Sequence, residues 1–354
     1  MKKVLYVGWI GFNNLGDELM WNVFEQLSRR YLDPRQVQVI PSLPGVDLVD
    51  LSPYDTVVLG GGSLLVPGYV DVAHRAVQQG KKLLVWGSGY DTQVPVSLDS
   101  QGRLFSPELG ESERMRQMLR DIAQHAAFFG VRGPLTCQYV QAAGVTKKLQ
   151  MSGDPGMLLL PDWEREAAGK EGPPVIGINW GTSYNRIYGK DETAVEDALA
   201  AAARQLVADG YHLYLYTMWG PDREANKRLY QKIAKPDRTT LDLAVHHHRD
   251  LMRLLTRMEA TINFKLHANV LSAACNIPFV CLAYRFKCFD FAHSLAVPEL
   301  AVSTGEPDLC QRILSRAKYA VEFKDVIREQ MTAAQQQMIR KLEEPFVHGW
   351  QENW

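Results

Sequence analysis

Short apolar runs that end in glycine, asparagine or a cation, each followed by a helix-patterned stretch, recur along this chain and restrict it to an α/β architecture built on mostly parallel sheets. In the first half such runs fall at 4–7, 37–40, 56–59, 83–86 and 127–131, with helical segments expected at 17–31, 70–79, 112–125 and 135–143. Pro134 suits the first turn of the last of these. A second series follows: strands at 175–179, 213–217, 260–264 and 279–283, with helices at 192–209, 223–232 and after His267. Between the two series lies a charged segment with Gly and Pro, 162–174, which reads as a linker. At 354 residues the chain exceeds what one hydrophobic core usually supports. We therefore expect two Rossmann-like lobes, 1–161 and 175–323, with a cleft between them. Residues 324–344 read as a further helix and lead into Pro345-Phe-Val-His-Gly-Trp350. The segment 324–354 is expected to pack back on the first lobe, a solvated terminal helix being the alternative.

A net charge of -1 argues against a nucleic-acid partner or strong attraction to an anionic membrane. The five cysteines, Cys137, Cys275, Cys281, Cys288 and Cys310, are odd in number and lack C-x-x-C spacing, which fits reduced thiols and a cytoplasmic location. The opening Met1-Lys-Lys-Val-Leu-Tyr-Val-Gly8 reaches polar Asn13-Asn14 too soon for a secretory or membrane-spanning segment, and reads as a buried first strand.

Ligands of open α/β sheets sit outside the carboxyl ends of the strands. In the second half those ends carry Ile262-Asn-Phe-Lys265-Leu266-His267 and Ala283-Tyr284-Arg285-Phe-Lys287. Lys265, His267, Arg285 and Lys287 can then share one site suited to a small phosphorylated, carboxylated substrate; a basic surface rim is the plainer reading. Arg186, in the loop after 175–179, can join them or remain solvated.

The strand ends of the first half are rich in glycine. Gly8-Trp-Ile-Gly11-Phe-Asn13-Asn14-Leu-Gly16-Asp17 precedes a helix, which offers free N–H groups to a ligand, but its spacing is not the dinucleotide fingerprint. Asp17 suits a helix start and can also bind an acceptor, as can Asn13 and Asn14. Gly60-Gly61-Gly62-Ser63 presents bare backbone, and Trp86-Gly87-Ser88-Gly89-Tyr90 repeats the pattern. Arg132 is either a ligand-facing cation or the partner of a carboxylate such as Asp154. Consecutive His246, His247 and His248 cannot easily converge on one metal ion, and no serine elbow or P-loop is present.

Taken in order, Gly11-Phe-Asn-Asn-Leu-Gly-Asp17-Glu, Leu59-Gly-Gly-Gly-Ser-Leu-Leu65, Val131-Arg132, Ser152-Gly-Asp-Pro155, Lys265-Leu-His267-Ala and Ile277-Pro through Tyr284 to Lys287 resemble the polysaccharide pyruvyl transferase family. The resemblance implies a GT-B-like fold and transfer of a pyruvyl group from phosphoenolpyruvate to two hydroxyls of a sugar. The product would be a cyclic ketal of a cell-surface polysaccharide or its precursor, with phosphate released. It also implies His267 as general acid, with Lys265, Leu266, Arg186, Arg285 and Lys287 on the donor side. Asn13, Asn14, Asp17, Gly61, Gly62 and Ser63 would lie on the acceptor side, with Arg132 a further candidate. No cofactor or metal is implied. The partners are phosphoenolpyruvate and a sugar acceptor, lipid-linked or nucleotide-linked, with peripheral membrane contact allowed. Where the family motif reads Arg-Leu-His this chain has Lys265, which keeps the charge and loses the bidentate fork. Two other functions fit the same fold: a glycosyltransferase using a nucleotide-sugar donor, disfavoured because the second lobe lacks an E-x7-E pattern, and a non-catalytic sugar-binding protein.

Overall fold

The computed structural model describes residues 1–105, 112–161 and 172–349, so most of the expected linker 162–174, and Trp350, lie outside the described residues. By contact the chain forms two compact units: Met1–Phe12, Asp17–Leu158 and Gln335–Trp354 make the first, Asn13–Gly16 and Leu159–Ala334 the second.

The first unit runs β1 (Lys2–Val7), α1 (Leu15–Tyr31), β2 (Val37–Pro41), β3 (Thr56–Leu59), α2 (Tyr69–Gln78), β4 (Lys82–Ser88), α3 (Glu113–His125), β5 (Phe128–Val131), α4 (Pro134–Ala142) and β6 (Leu149–Met151). Its six strands are all parallel, in the order β2-β1-β3-β4-β5-β6. Central strands β3 and β5 are buried throughout, as expected of a parallel sheet covered on both faces. Helix starts follow local chemistry: the Ser112 hydroxyl accepts the Met115 N–H at the head of α3 (3.2 Å), and Pro134 opens α4.

The second unit runs β7 (Val175–Asn179), α5 (Glu192–Ala208), β8 (His212–Thr217), α6 (Arg223–Ile233), β9 (Thr239–Val245), α7 (His248–Leu255), β10 (Ala260–Asn263), α8 (Leu266–Ala274), β11 (Phe279–Ala283), α9 (Phe286–Ser294), β12 (Ala301–Ser303) and α10 (Leu309–Glu322). Again six strands are parallel, ordered β12-β11-β10-β7-β8-β9. The last helix, α11 (Lys324–Glu344), contributes its residues from Gln335 onward to the first unit. There Gln335 donates to the Met157 carbonyl (2.9 Å), the Trp86 indole N–H donates to the Leu342 carbonyl (2.9 Å), and buried Phe346 packs on Phe24 with ring centroids 5.4 Å apart.

Each sheet reverses its winding once. In the first unit the chain passes from β2 across β1 to β3; in the second it passes from β9 across β7 to β10. These are the switch points at which open α/β sheets hold ligands, and they select two loop pairs, those after β1 and β3 and those after β7 and β10.

Candidate active site

At the second unit's switch point, Lys265 is the N-cap of α8 and His267 stands in the first helical turn. The start of α8 is fixed from below. The Lys265 N–H donates to Asn179 Oδ1 (3.0 Å), whose Nδ2 donates to the Tyr216 carbonyl (3.1 Å). Under the helix, buried Asn263 donates to Thr261 Oγ1 (2.9 Å) and Ser272 Oγ (3.1 Å). Such a satisfied polar network holds one backbone arrangement, because every alternative would leave a buried group unpaired.

The Lys265 side chain is itself held. Its ammonium lies 3.0 Å from Asp222 Oδ1, donates to the Thr182 carbonyl (2.6 Å), and sits 5.2 Å from the centre of the Trp219 ring. Asp222 has no exposed surface and Lys265 keeps 17% of its side chain in contact with solvent. Burial pushes the Asp222 carboxyl above the usual carboxylate range, opposed by Lys265, while burial pulls the Lys265 ammonium below the usual lysine range, opposed by Asp222. The charge of Lys287 also lowers Lys265, so the two ammonium groups feel one another.

His267 meets the Asn13–Gly16 segment, which clusters with the second unit. A β-carbon at Gly16 would collide with imidazole Nδ1, so only glycine lets this backbone lie against the ring. Asn14 in the same segment forms an antiparallel bridge with Trp219, and its Oδ1 accepts the Gly16 N–H (3.1 Å). Asn13 is exposed, with φ 53°.

Arg285 caps α9 and Lys287 stands in its first turn, its ammonium 5.1 Å from the centre of the Tyr284 ring. Helices α8 and α9 therefore both begin at this edge, with backbone N–H groups and cations together, an arrangement suited to a small dianion. Leu266 is buried, so its own contribution to a ligand would be its N–H. Arg186 lies on the exposed loop after β7 and donates through Nε to the Ser183 carbonyl (3.3 Å). That loop is clamped by Glu192, the first residue of α5, whose carboxylate accepts from the N–H groups of Ser183 and Asn185 and from the Thr182 hydroxyl.

Asp222, Thr182, Trp219 and Glu192 were not among the residues singled out from the sequence. The available signal was position: Trp219-Gly-Pro-Asp222 comes after β8 as the other strand-end loops come after theirs. The three consecutive histidines have separate roles. His246 bonds to Asp242 (2.6 Å), His247 caps α7, and His248 is buried; among the described residues no group of three or more His, Cys, Asp or Glu could hold a metal.

The first unit's switch point is chemically different. Gly60 and Gly61 leave no room for side chains, because Tyr6 packs over the first, and Met20 and Pro155 over the second, while Gly62 adopts φ 104° beside Asp17. Of the two glycines expected to face an acceptor, Gly61 and Gly62, close packing thus accounts for the first. Ser63 accepts from fully buried Arg132 (3.3 Å), which also donates to the Tyr90 carbonyl (3.1 Å).

A profile of the polysaccharide pyruvyl transferase family matches residues 14–285, which include the switch-point residues of both sheets from Asn14 to Arg285. The chain belongs to this family. No protein of curated function matches its sequence. Among solved structures, S. aureus MnaA in its UDP complex is similar over 99% of this chain and 98% of that one, at 12% identity and TM-score 0.64. Anabaena Alr3699/HepE in complex with UDP and glucose is similar over 98% and 100%, at 13% identity and TM-score 0.54. A UDP-GlcNAc 2-epimerase from Neisseria meningitidis bound to UDP-GlcNAc is similar over 99% and 100%, at 10% identity and TM-score 0.57. At these identities the likeness is one of fold, and it gives this polysaccharide pyruvyl transferase family member a GT-B-like architecture.

Proposed function

We propose that this protein transfers the pyruvyl group of phosphoenolpyruvate to two hydroxyls of a sugar belonging to a cell-surface polysaccharide or its precursor. The observation that carries the reading is the placement of His267 at the second sheet's switch point beside Lys265, whose ammonium is in turn within the field of Lys287. The donor is a small molecule with a phosphate and a carboxylate, and its reaction begins by protonation of the methylene carbon. His267 gives that proton, leaving cationic character at C2. One sugar hydroxyl adds to C2 and loses its proton, the C2–O bond to phosphate breaks, and the second hydroxyl closes the ketal. The helix starts of α8 and α9, with Lys265, Lys287, Arg285 and Arg186, hold the donor's negative charge and stabilise departing phosphate. The wider acceptor class, a lipid-linked or nucleotide-linked sugar, fits a GT-B-like scaffold.

The test is phosphate release from phosphoenolpyruvate labelled with carbon-13 at C2, in the presence of UDP-linked and methyl-linked hexoses and N-acetylhexosamines. The expected result is acceptor-dependent phosphate release and a carbon-13 resonance of a ketal. Release of UDP from the nucleotide sugar without consumption of phosphoenolpyruvate would replace this reading with glycosyl transfer. Binding of sugar with neither product would leave a sugar-binding protein.

A further inference from the structure

The loop after β1 displays two aromatic rings in water and is tied down in a way that keeps them there. Trp9 is 38% and Phe12 47% exposed, and their rings stack with centroids 5.1 Å apart and planes 20° from parallel. Three separate ties fix the loop. Ser42 Oγ accepts the Gly8 N–H (3.0 Å) and donates to the Gly8 carbonyl (3.1 Å). Gly11 sits at φ 88° against the ring of Pro44, where no side chain fits. One Glu18 oxygen accepts the N–H groups of both Gly11 (2.7 Å) and Phe12 (3.2 Å). A loop held this firmly could have turned its largest apolar side chains inward, which is where the hydrophobic effect favours them. It instead holds a flat plate outward at the first sheet's switch point, where ligands of this fold class sit.

The neighbouring charges decide what the plate suits. Asp17 and Glu18 come soon after the loop, and Asp17 Oδ1 lies 3.7 Å from where a Gly62 β-carbon would stand. The Glu18 carboxylate, bound to the Gly11 and Phe12 N–H groups, puts a negative charge against the loop that carries the plate and disfavours an anionic lipid surface and a phosphate group alike. Such a charge suits a hydroxylated neutral ligand with one flat apolar face, which describes a pyranose ring. We propose that Trp9 and Phe12 form the stacking face of the acceptor site and receive the C–H face of a neutral pyranose, the word acceptor resting on the transferase reading above.

Saturation-transfer NMR on the whole chain, with the methyl glycosides of glucose, galactose, mannose and their 2-acetamido counterparts and no phosphoenolpyruvate, tests this directly. At least one pyranoside should receive saturation on the protons of one ring face. Trp9→Ala and Phe12→Ala should each weaken that binding about fivefold, and Trp9→Phe should retain most of it. Both side chains are exposed, so unchanged melting curves are expected and serve as the folding control. No transfer to any pyranoside, equal transfer to both ring faces, or transfer that survives both alanine variants would overturn the proposal. So would Trp9-dependent sedimentation with phosphatidylglycerol/phosphatidylethanolamine vesicles while pyranoside binding is unaffected, which would identify a membrane contact instead. Face-selective binding in a protein that releases no phosphate from phosphoenolpyruvate would leave this shelf standing and remove the donor reading alone.

Discussion

The loop after β1 and the loop after β7 occupy equivalent places in their two sheets and are anchored by the same device. Each extends from the first strand of its sheet, each borders a switch point, and each is gripped by a glutamate from the first turn of the next helix: Glu18 on Gly11 and Phe12, Glu192 on Ser183 and Asn185. What the two edges display is opposite. The first offers packed glycines, a carboxylate and two exposed aromatic rings; the second offers two helix starts, Lys265, Lys287 and a histidine. One scaffold can thus be finished for a neutral, hydroxylated ligand or for an anion by changing only the loops and helix starts at its strand ends, which is why fold likeness to UDP-binding proteins leaves the chemistry open.

The largest effect should come from the group that separates the two edges most sharply. His267→Ala is expected to lower the chemical step about 10² to 10⁴-fold while donor binding changes little, the range for loss of a general acid. Rapid-quench turnover of the folded variant with phosphoenolpyruvate measures it. Full turnover would remove the distinction between a reactive second edge and a binding first edge.

Next in size is the buried pair. Asp222→Ala leaves the Lys265 ammonium without its carboxylate inside the second unit and should cost about 3–5 kcal/mol of stability, seen in urea unfolding. Lys265→Met should cost a similar amount for the converse reason and weaken donor binding as well. Lys265→Arg keeps the pair and should fold, with donor affinity equal or improved through the bidentate fork. If Asp222→Ala unfolds like the parent protein, Lys265 is held by its other contacts and the ion pair is incidental.

This pair also shows where the sequence stops being readable. Lys265 and His267 were legible because a strand, a cation and a helix start are neighbours along the chain. Asp222 is 43 positions from Lys265 and reads locally as the ordinary acidic start of α6, so only folding reveals it as the partner. Gly16 is similar: it reads as a loop glycine, and its need for close approach to His267 arises from a residue some 250 positions away. Among the elements, the apolar strands β1–β5, β7, β8, β10 and β11 were legible, whereas the polar edge strand β9 and the helices α7 and α10 were not expected, and three-residue β6 and β12 are too short for a pattern. Helix α9, Phe-Lys-Cys-Phe-Asp-Phe-Ala-His-Ser, is made largely of weak helix formers, and it is packing of Phe286, Cys288 and Phe291 that makes it a helix.

Acid should distinguish the units by a smaller amount. In the second unit His248 is pushed down to about 4 by burial, with His247 and Arg249 adding to the effect, and His212 and His293 are lowered by burial as well. The fold keeps these rings neutral while the unfolded chain takes up protons below pH ~6.5, so stability is full above that pH and is lost as pH falls from ~6.5 toward the folded value. For His248 the full shift corresponds to at most about 3 kcal/mol, and screening around solvent-facing His247 and Arg249 reduces the expectation to about 1–2 kcal/mol. Hydrogen exchange between pH 7 and 4.5 should show the second unit opening progressively, with His248→Gln flattening the dependence. An unchanged slope in that variant would place the acid sensitivity elsewhere.

The smallest and most direct comparison substitutes the two clamps themselves. Glu18→Gln and Glu192→Gln keep shape and one acceptor oxygen while replacing charge-assisted bonds to backbone N–H groups with neutral ones, a loss of about 1 kcal/mol each. Neither glutamate is assigned to the chemistry, so kcat should hold in both variants. Because Glu192 fixes Thr182, whose carbonyl receives the Lys265 ammonium, its substitution should raise KM for phosphoenolpyruvate about threefold to tenfold and leave sugar affinity alone. Because Glu18 fixes the Trp9–Phe12 loop, its substitution should do the reverse. Measuring both constants in both variants gives a crossed pattern if the two edges divide the substrates between them. Parallel changes would mean that the clamps support the fold generally, and the division of labour between the two switch points would fall.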